Sequence, residues 1–184
     1  MLSKLLLLFV LSFTGTTTGV GTTPVVGEKA PDFTLVSTRG GEVRLSECTG
    51  KSRVVLVVLR GYPGYQCPYC NLQVQDFLKR AEDFARAGVH VILVYPGPGE
   101  KLNERAKEFL VNKELPGHFD LVLDPDYSFT NLYGLRWDAP KETAYPATFL
   151  LDKAGKVLYS KVSKSHGGRA SAAELLDVLA KVGG

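Results

Sequence analysis

Cysteine is scarce in this chain. Three thiols in 184 residues cannot staple a domain of this length as a disulfide scaffold. Net charge is small as well, at +3. No Lys/Arg-rich run and no stripe of aromatics among basic residues occurs, which sets nucleic-acid binding aside. No apolar run approaches the ~20 residues that a helix needs to cross a bilayer. No repeat, low-complexity tract or internal linker divides the sequence. What remains is 45% hydrophobic and 22% charged, the balance of a globular, core-forming protein. The length fits one ordinary domain with something extra at one end.

That extra piece is N-terminal. Met1 to Lys4 is a short basic start, Leu5 to Phe13 an apolar core, and Thr14 to Thr23 a Gly/Thr-rich stretch. The pattern predicts a signal peptide, or an uncleaved anchor, over 1–23, with the mature chain starting within 17–24. No A-x-A cleavage site is present, and no cysteine that would carry a lipid. Export would place the protein in a periplasmic or other extracytoplasmic compartment, where disulfides persist. Residues 24–184 form the domain.

Periodicity lays out that domain. A Pro-punctuated strand ends at Val36, Ser37 to Gly41 supplies turn residues, and Glu42 to Leu45 returns as a second strand. Ser46 to Ser52 reads as a loop with one helical turn. Arg53 to Leu59 is continuous and β-branched, as a strand buried on both faces requires. Leu72, Val74, Phe77, Leu78, Ala81, Phe84 and Ala85 predict one helix over Cys67–Gly88. His90 to Tyr95 is a strand, Glu100 to Lys113 an amphipathic helix, Leu121 to Leu123 a short strand, and Tyr127 to Tyr133 a short helix. Ala147–Leu151 and Lys156–Ser160 form a hairpin. Ser171 with Glu174 makes a capping box before a last helix bearing Leu175, Leu176, Val178 and Leu179. The order predicts parallel strands crossed over by helices, extended by antiparallel ones.

The chemistry-bearing stretch is Gly61-Tyr62-Pro63-Gly64-Tyr65-Gln66-Cys67-Pro68-Tyr69-Cys70, at a strand-to-helix junction. A helix N-terminus favours a thiolate over a thiol, and positions i and i+3 lie close enough for a reversible disulfide. Pro68 suits the first helical position, where a missing N–H costs nothing. Lys51 to Gln75 contains no carboxylate, whereas Lys51, Arg53 and Arg60 are basic, which predicts a positive field at the thiols. A static disulfide or half of a zinc site are the plainer readings, but no second C-x-x-C or His-x-x-x-His completes a zinc site. Arg60 is either a site residue or a solvated strand-end charge. Cys48 reads as a buried free thiol, with a second resolving thiol or an intermolecular bridge as alternatives. His90 reads as strand packing; His118 and His166 lie in loops and receive no role.

Gly27-x-x-Ala30-Pro31-Asp32-Phe33-x-Leu35, Leu123-Asp-Pro-Asp126 and Leu132-Tyr-Gly-Leu135 resemble the thioredoxin-fold superfamily, in its alkyl hydroperoxide reductase/thiol-specific antioxidant (peroxiredoxin-like) branch. The resemblance implies an α/β, thioredoxin-like three-layer sandwich with a central mixed sheet and an N-terminal β-hairpin extension. Two signatures overlap. Pro63 and Cys70 match the P-x-x-x-T-x-x-C of peroxiredoxins, but Cys67 replaces the Thr, and the family's Arg before the following strand is here Pro146. Tyr145-Pro146-Ala-Thr148-Phe149 instead resembles the cis-proline strand of thioredoxins and exported oxidoreductases, which shapes the partner-docking surface. The Pro68-Tyr69 dipeptide also occurs in glutaredoxins.

The resemblance therefore implies a thiol-disulfide oxidoreductase, with Cys67 as exposed nucleophile, Cys70 as resolving thiol, and no cofactor or metal. Pro63, Pro68, Tyr69, Arg60, Tyr145 and Pro146 would shape the site, and Trp137 either joins the docking surface or packs at the edge. One alternative is a thiol-dependent peroxidase with Cys70 peroxidatic, Cys67 resolving and Arg60 replacing the missing family Arg. Another is a Cu(I) chaperone like the Sco family, which spaces its cysteines C-x-x-x-C. Partners would be protein disulfides or thiols, or a hydroperoxide, with an electron-donating thiol system; membrane contact would come only through an uncleaved N-terminus.

Overall fold

The computed structural model describes residues 21–182. The expected signal segment therefore lies, but for Gly21 to Thr23, outside the described residues. Seven strands form one sheet: β1 (Thr34–Ser37), β2 (Glu42–Arg44), β3 (Arg53–Val58), β4 (Val89–Gly97), β5 (Phe119–Pro125), β6 (Ala147–Leu151) and β7 (Val157–Val162). Their order is β2-β1-β5-β4-β3-β6-β7. β3, β4 and β5 run parallel, while β1 joins β5 and β6 joins β3 antiparallel. The N-terminal hairpin thus extends the same mixed sheet, as expected.

Both faces of that sheet are covered, which explains the unbroken apolar run in β3. Val55, Val57 and Leu59 enter the core beneath helices α2 (Pro68–Lys79), α3 (Ala81–Arg86), α4 (Leu102–Leu110) and α6 (Ala172–Val182). Val54, Leu56 and Val58 enter the opposite core with α1 (Leu45–Thr49) and α5 (Ser128–Leu132). Each such side chain gains about 1.5–3 kcal/mol on leaving water. The strand that feeds the cysteine loop is therefore firmly anchored.

Three elements depart from expectation. The single helix over Cys67–Gly88 is two, broken at Arg80 (φ −111°, ψ 17°). Phe77 and Phe84 explain the break. Seven residues of continuous helix separate two positions by about 10.5 Å, yet these rings stack at 5.3 Å with an 18° interplanar angle. The buried stripe is also rotated: Leu72 is 65% exposed, Ala85 is exposed, and Cys70, Gln73, Val74 and Phe77 face inward. Gln73 is tolerated there because its Nε2 donates to Ala170 O at 3.1 Å. The helix expected over Glu100–Lys113 is trimmed to α4, with Lys101 (φ 60°) and Asn112 (φ 61°) in left-handed conformations near its ends. At α6 half of the capping box forms. Glu174 N donates to Ser171 Oγ at 3.2 Å, but the Glu174 carboxylate turns to Lys161 and Tyr159 on β7.

Candidate active site

The loop leaving β3 stays hooked to β4: Leu59 N donates to Val94 O and Tyr62 N to Pro96 O, both at 3.0 Å. Gly61, between them, has φ +64°, and a Cβ there would lie 1.9 Å from Pro96 O. Only glycine lets the strands stay this close while the chain turns. The loop passes through the half-buried Pro63 and reaches Cys67, the N-cap of α2, with Pro68 following in the first turn.

Cys67 Sγ accepts the Cys70 backbone N–H at 3.3 Å. A capping side chain folds back over the helix start, and this overturns the expected exposure of the nucleophile. Cys67 is 1% exposed and Cys70 0%. The two thiols nevertheless differ sharply. Cys67 is pulled down to about 6 by the hydrogen bond from the Cys70 thiol, then by the Cys70 N–H and the charges of Arg169 and Arg60, all against its own burial. Cys70 is pushed well above the usual thiol value by burial and by its bond to Cys67; Arg169 and the Arg60 backbone N–H pull the other way.

The basic group at the sulfurs is one that no sequence pattern points to. Arg169 Nη2 lies 3.5 Å from Cys70 Sγ and 3.8 Å from Cys67 Sγ. Its Nη1 donates to Gln73 Oε1 at 3.0 Å and its Nε to His166 O at 2.9 Å. Of the expected field from Lys51, Arg53 and Arg60, only the charge of Arg60 is felt at Cys67, and less than that of Arg169. Arg53 opens a six-residue strand, about 17 Å from its far end, and its guanidinium donates to Val182 O. Lys51 sits near Cys48. Arg60 is not a solvated strand-end charge. Its side chain is 2% exposed and bonds the Glu142 carboxylate, Tyr65 Oη at 2.8 Å and Lys141 O. Its guanidinium is held by these neighbours; its charge still lowers Cys67, and its backbone N–H reaches Cys70.

Glu142 is shared, since its Oε1 meets His166 Nε2 at 2.9 Å. His166, given no role from sequence, therefore ties the β7–α6 loop to the Arg60 network. Around it stand the exposed Tyr69 (6.1 Å between centroids) and Trp137 (5.4 Å), and Trp137 stacks on Tyr145 at 4.8 Å. These aromatics form one rim beside the cysteines. Pro146 is buried, its carbonyl accepts Ser163 N at 2.8 Å, and Tyr145 N donates to Leu135 O at 2.8 Å. The Tyr145–Pro146 bond is trans, contrary to the expected cis form; these two hydrogen bonds pin its flanks.

No spacing rule links residue 169 to residue 67, so Arg169 and His166 escape a reading of the sequence. Their approach depends on α6 docking against α2, through Gln73 Nε2 to Ala170 O and Ala172 N to Asp76 Oδ2 at 2.7 Å. The other sequence candidates lie elsewhere. Cys48 is half-buried and free, its thiol raised by burial and by Asp120. His90 bonds Asp120 at 2.9 Å, and His118 pairs with Ala81 O at 3.0 Å. Among the described residues no three His, Cys, Asp or Glu side chains gather as a metal cluster.

A sequence profile of the AhpC/TSA family matches residues 26–160. Peroxiredoxin Bcp of Bacillus subtilis (strain 168) is 30% identical over 139 residues, covering 72% of this chain and 82% of that protein. The thiol-disulfide oxidoreductase ResA of Geobacillus thermodenitrificans (strain NG80-2) is 29% identical over 137 residues, covering 74% and 68%. The peroxidoxin BcpB structure from Mycobacterium tuberculosis aligns with a TM-score of 0.66 at 22% identity, over 86% of this chain and 98% of that one, a likeness of fold. With its mixed sheet and its cysteine pair at a helix start, the chain belongs to the AhpC/TSA family of thioredoxin-fold, thiol-dependent oxidoreductases.

Proposed function

We propose that the chain is a thiol-disulfide oxidoreductase in which Cys67 is the attacking thiolate and Cys70 the resolving thiol. The asymmetry of the pair carries this reading. A thiol lowered to about 6 is about 90% ionised at pH 7, whereas an ordinary cysteine is about 3% ionised. Cys70, buried and raised, stays protonated until it is needed. In exchange, the Cys67 thiolate attacks a partner disulfide and forms a mixed disulfide. Cys70, one helical turn in, then attacks Cys67 Sγ and releases the partner's thiolate. The same two steps run in reverse. Because both sulfurs are covered, a partner has to shift the Arg169 segment on docking. Tyr69, Trp137 and Tyr145 present the rim it would meet. Pro63, Pro68 and Pro146 hold the backbone around the motif. The N-terminal pattern supports an exported location for these partners.

A second reading, thiol peroxidase, has its own support in the Pro63–Cys70 spacing and in the peroxiredoxin relatives. There Cys70 attacks peroxide and becomes a sulfenic acid, with which Cys67 condenses. It requires the more deeply buried and more strongly protonated cysteine to strike first, so the first reading has the geometry.

Thiolate absorbance in the ultraviolet tests the assignment without needing access to the sulfurs. The Cys70→Ser variant keeps a hydroxyl donor toward Cys67 and is expected to titrate one thiolate near pH 6, well below an ordinary thiol at about 8.5. The Cys67→Ser variant is expected to show no titration below pH 8. A low-pH thiolate in Cys67→Ser, or none in Cys70→Ser, overturns this division of roles.

A further inference from the structure

Arg169 lies against both sulfurs. Among the described residues no carboxylate pairs with this guanidinium. Its Nε and Nη1 are fixed on neutral oxygens, the His166 carbonyl and the Gln73 amide, and its Nη2 points between the two sulfurs at 3.5 and 3.8 Å. A half-buried cation held on neutral acceptors has its counter-ion only when a sulfur is ionised. The reduced pair supplies that anion. The disulfide does not, and leaves a half-buried cation with neutral oxygens as its only partners among the described residues, which is costly.

We propose that Arg169 stabilises the reduced state of the Cys67–Cys70 pair and thereby makes its disulfide an electron acceptor, so that the site oxidises thiol pairs of a peptide or protein substrate. Whatever favours the thiolate form of a dithiol raises its reduction potential. The inference rests on the exchange reading above and adds a direction to it. A substrate thiolate attacks Cys67 Sγ, the Cys67–Cys70 bond breaks, and the electron pair leaves on Cys70 beside Arg169 and the Arg60 N–H. The second substrate thiolate attacks the substrate sulfur of the mixed disulfide, forms the substrate's own disulfide, and expels Cys67 as a thiolate. The substrate loses two electrons and two protons. The cysteine pair gains both electrons, Cys70 takes one proton, and water takes the other. Each leaving sulfur departs toward a donor already in place, which is how preorganised groups lower such barriers.

The test is the equilibrium of the full chain with a reduced and oxidised glutathione mixture, quenched in acid and read by mass. Arg169→Met is expected to shift the equilibrium toward the protein disulfide by about tenfold, a fall in potential of about 30 mV. Arg169→Lys keeps the charge but not the fork and is expected to fall between it and the unmodified chain. Thermal unfolding of each variant shows whether the fold persists. An equilibrium constant within twofold of the unmodified chain in Arg169→Met, with the fold intact, overturns the assignment while the exchange reading stands. If the unmodified chain forms no disulfide with glutathione present and Cys70→Ser captures no thiol, the exchange reading itself has failed, and this one with it.

Discussion

Replacing Cys67 with serine is expected to abolish disulfide exchange, whereas replacing Cys70 with serine leaves the first step and stops the second. A hydroxyl at the N-cap would still accept the Cys70 N–H, so α2 keeps its cap and the fold is preserved. What is lost is the thiol that is ionised near neutral pH. The fall in turnover should reach at least the order of 10³-fold, as for other enzymes that lose their nucleophile. Reduction of insulin disulfides by a dithiol, followed as turbidity, reads that fall. Cys70→Ser should accumulate a mixed disulfide with a cysteine-containing peptide, visible as a mass increase that a reductant removes. Cys48→Ala is expected to match the unmodified chain in both assays, since its thiol is free and raised by burial. The opposite pattern would be peroxide consumption that persists in Cys67→Ser but vanishes in Cys70→Ser. It would transfer the first strike to Cys70 and establish the peroxidase reading.

The parts of this site that could be read from sequence are those whose cause is local. The Arg53–Leu59 run is apolar because both faces of β3 are covered, and a two-sided core imposes that on consecutive residues. The cysteine spacing is one helical turn, and Pro68 fixes where the turn begins. The β6–β7 hairpin follows from its turn residues. Arg169 is of another kind: a hundred residues away, it arrives because α6 packs on α2, and a basic residue in a Ser/Gly-rich loop carries no trace of that. Arg60 shows the converse error. Its neighbours in sequence contain no acid, yet Glu142, 82 residues on, pairs with it. Counting charges within a window measures the wrong distance. Gln73 and the break at Arg80 escape because periodicity assumes an unbroken helix with an apolar face, and both depend on tertiary partners: the Ala170 carbonyl and the Phe77–Phe84 stack. The burial of Cys67 depends on a side-chain direction, which spacing does not encode.

The Arg60–Glu142 pair yields the largest expected change in stability. Arg60 is 2% exposed and Glu142 12%. Glu142→Ala leaves a buried guanidinium with only Tyr65 and the Lys141 carbonyl, and breaking a buried pair from one side costs about 3–5 kcal/mol. Replacing both partners, Arg60→Met with Glu142→Leu, removes the charge to be solvated along with its partner, and stability should return to within about 1 kcal/mol of the unmodified chain. Urea denaturation of the three chains reads this directly, and a Glu142→Ala variant as stable as the unmodified chain would show that the pair does not hold Arg60 in place. Acid gives a second check. Burial would raise the Glu142 carboxyl, but the bonds from Arg60 and His166 outweigh it and hold it below the usual carboxylate range. A carboxyl lowered by folding contributes stability that is complete above its unfolded value of about 4.3 and is lost as pH falls through the folded one. The unmodified chain should therefore weaken more steeply below pH 4 than the double variant. Because Glu142 also holds His166, and His166 O holds Arg169, Glu142→Ala loosens the cation at the sulfurs as well. Losing the carboxylate also leaves the Arg60 charge, which lowers Cys67, without its partner. A Cys67 thiol that titrates at a higher pH in Glu142→Ala would show that the link through His166 to Arg169 outweighs it, and would join the stability of this network to the reactivity of the pair.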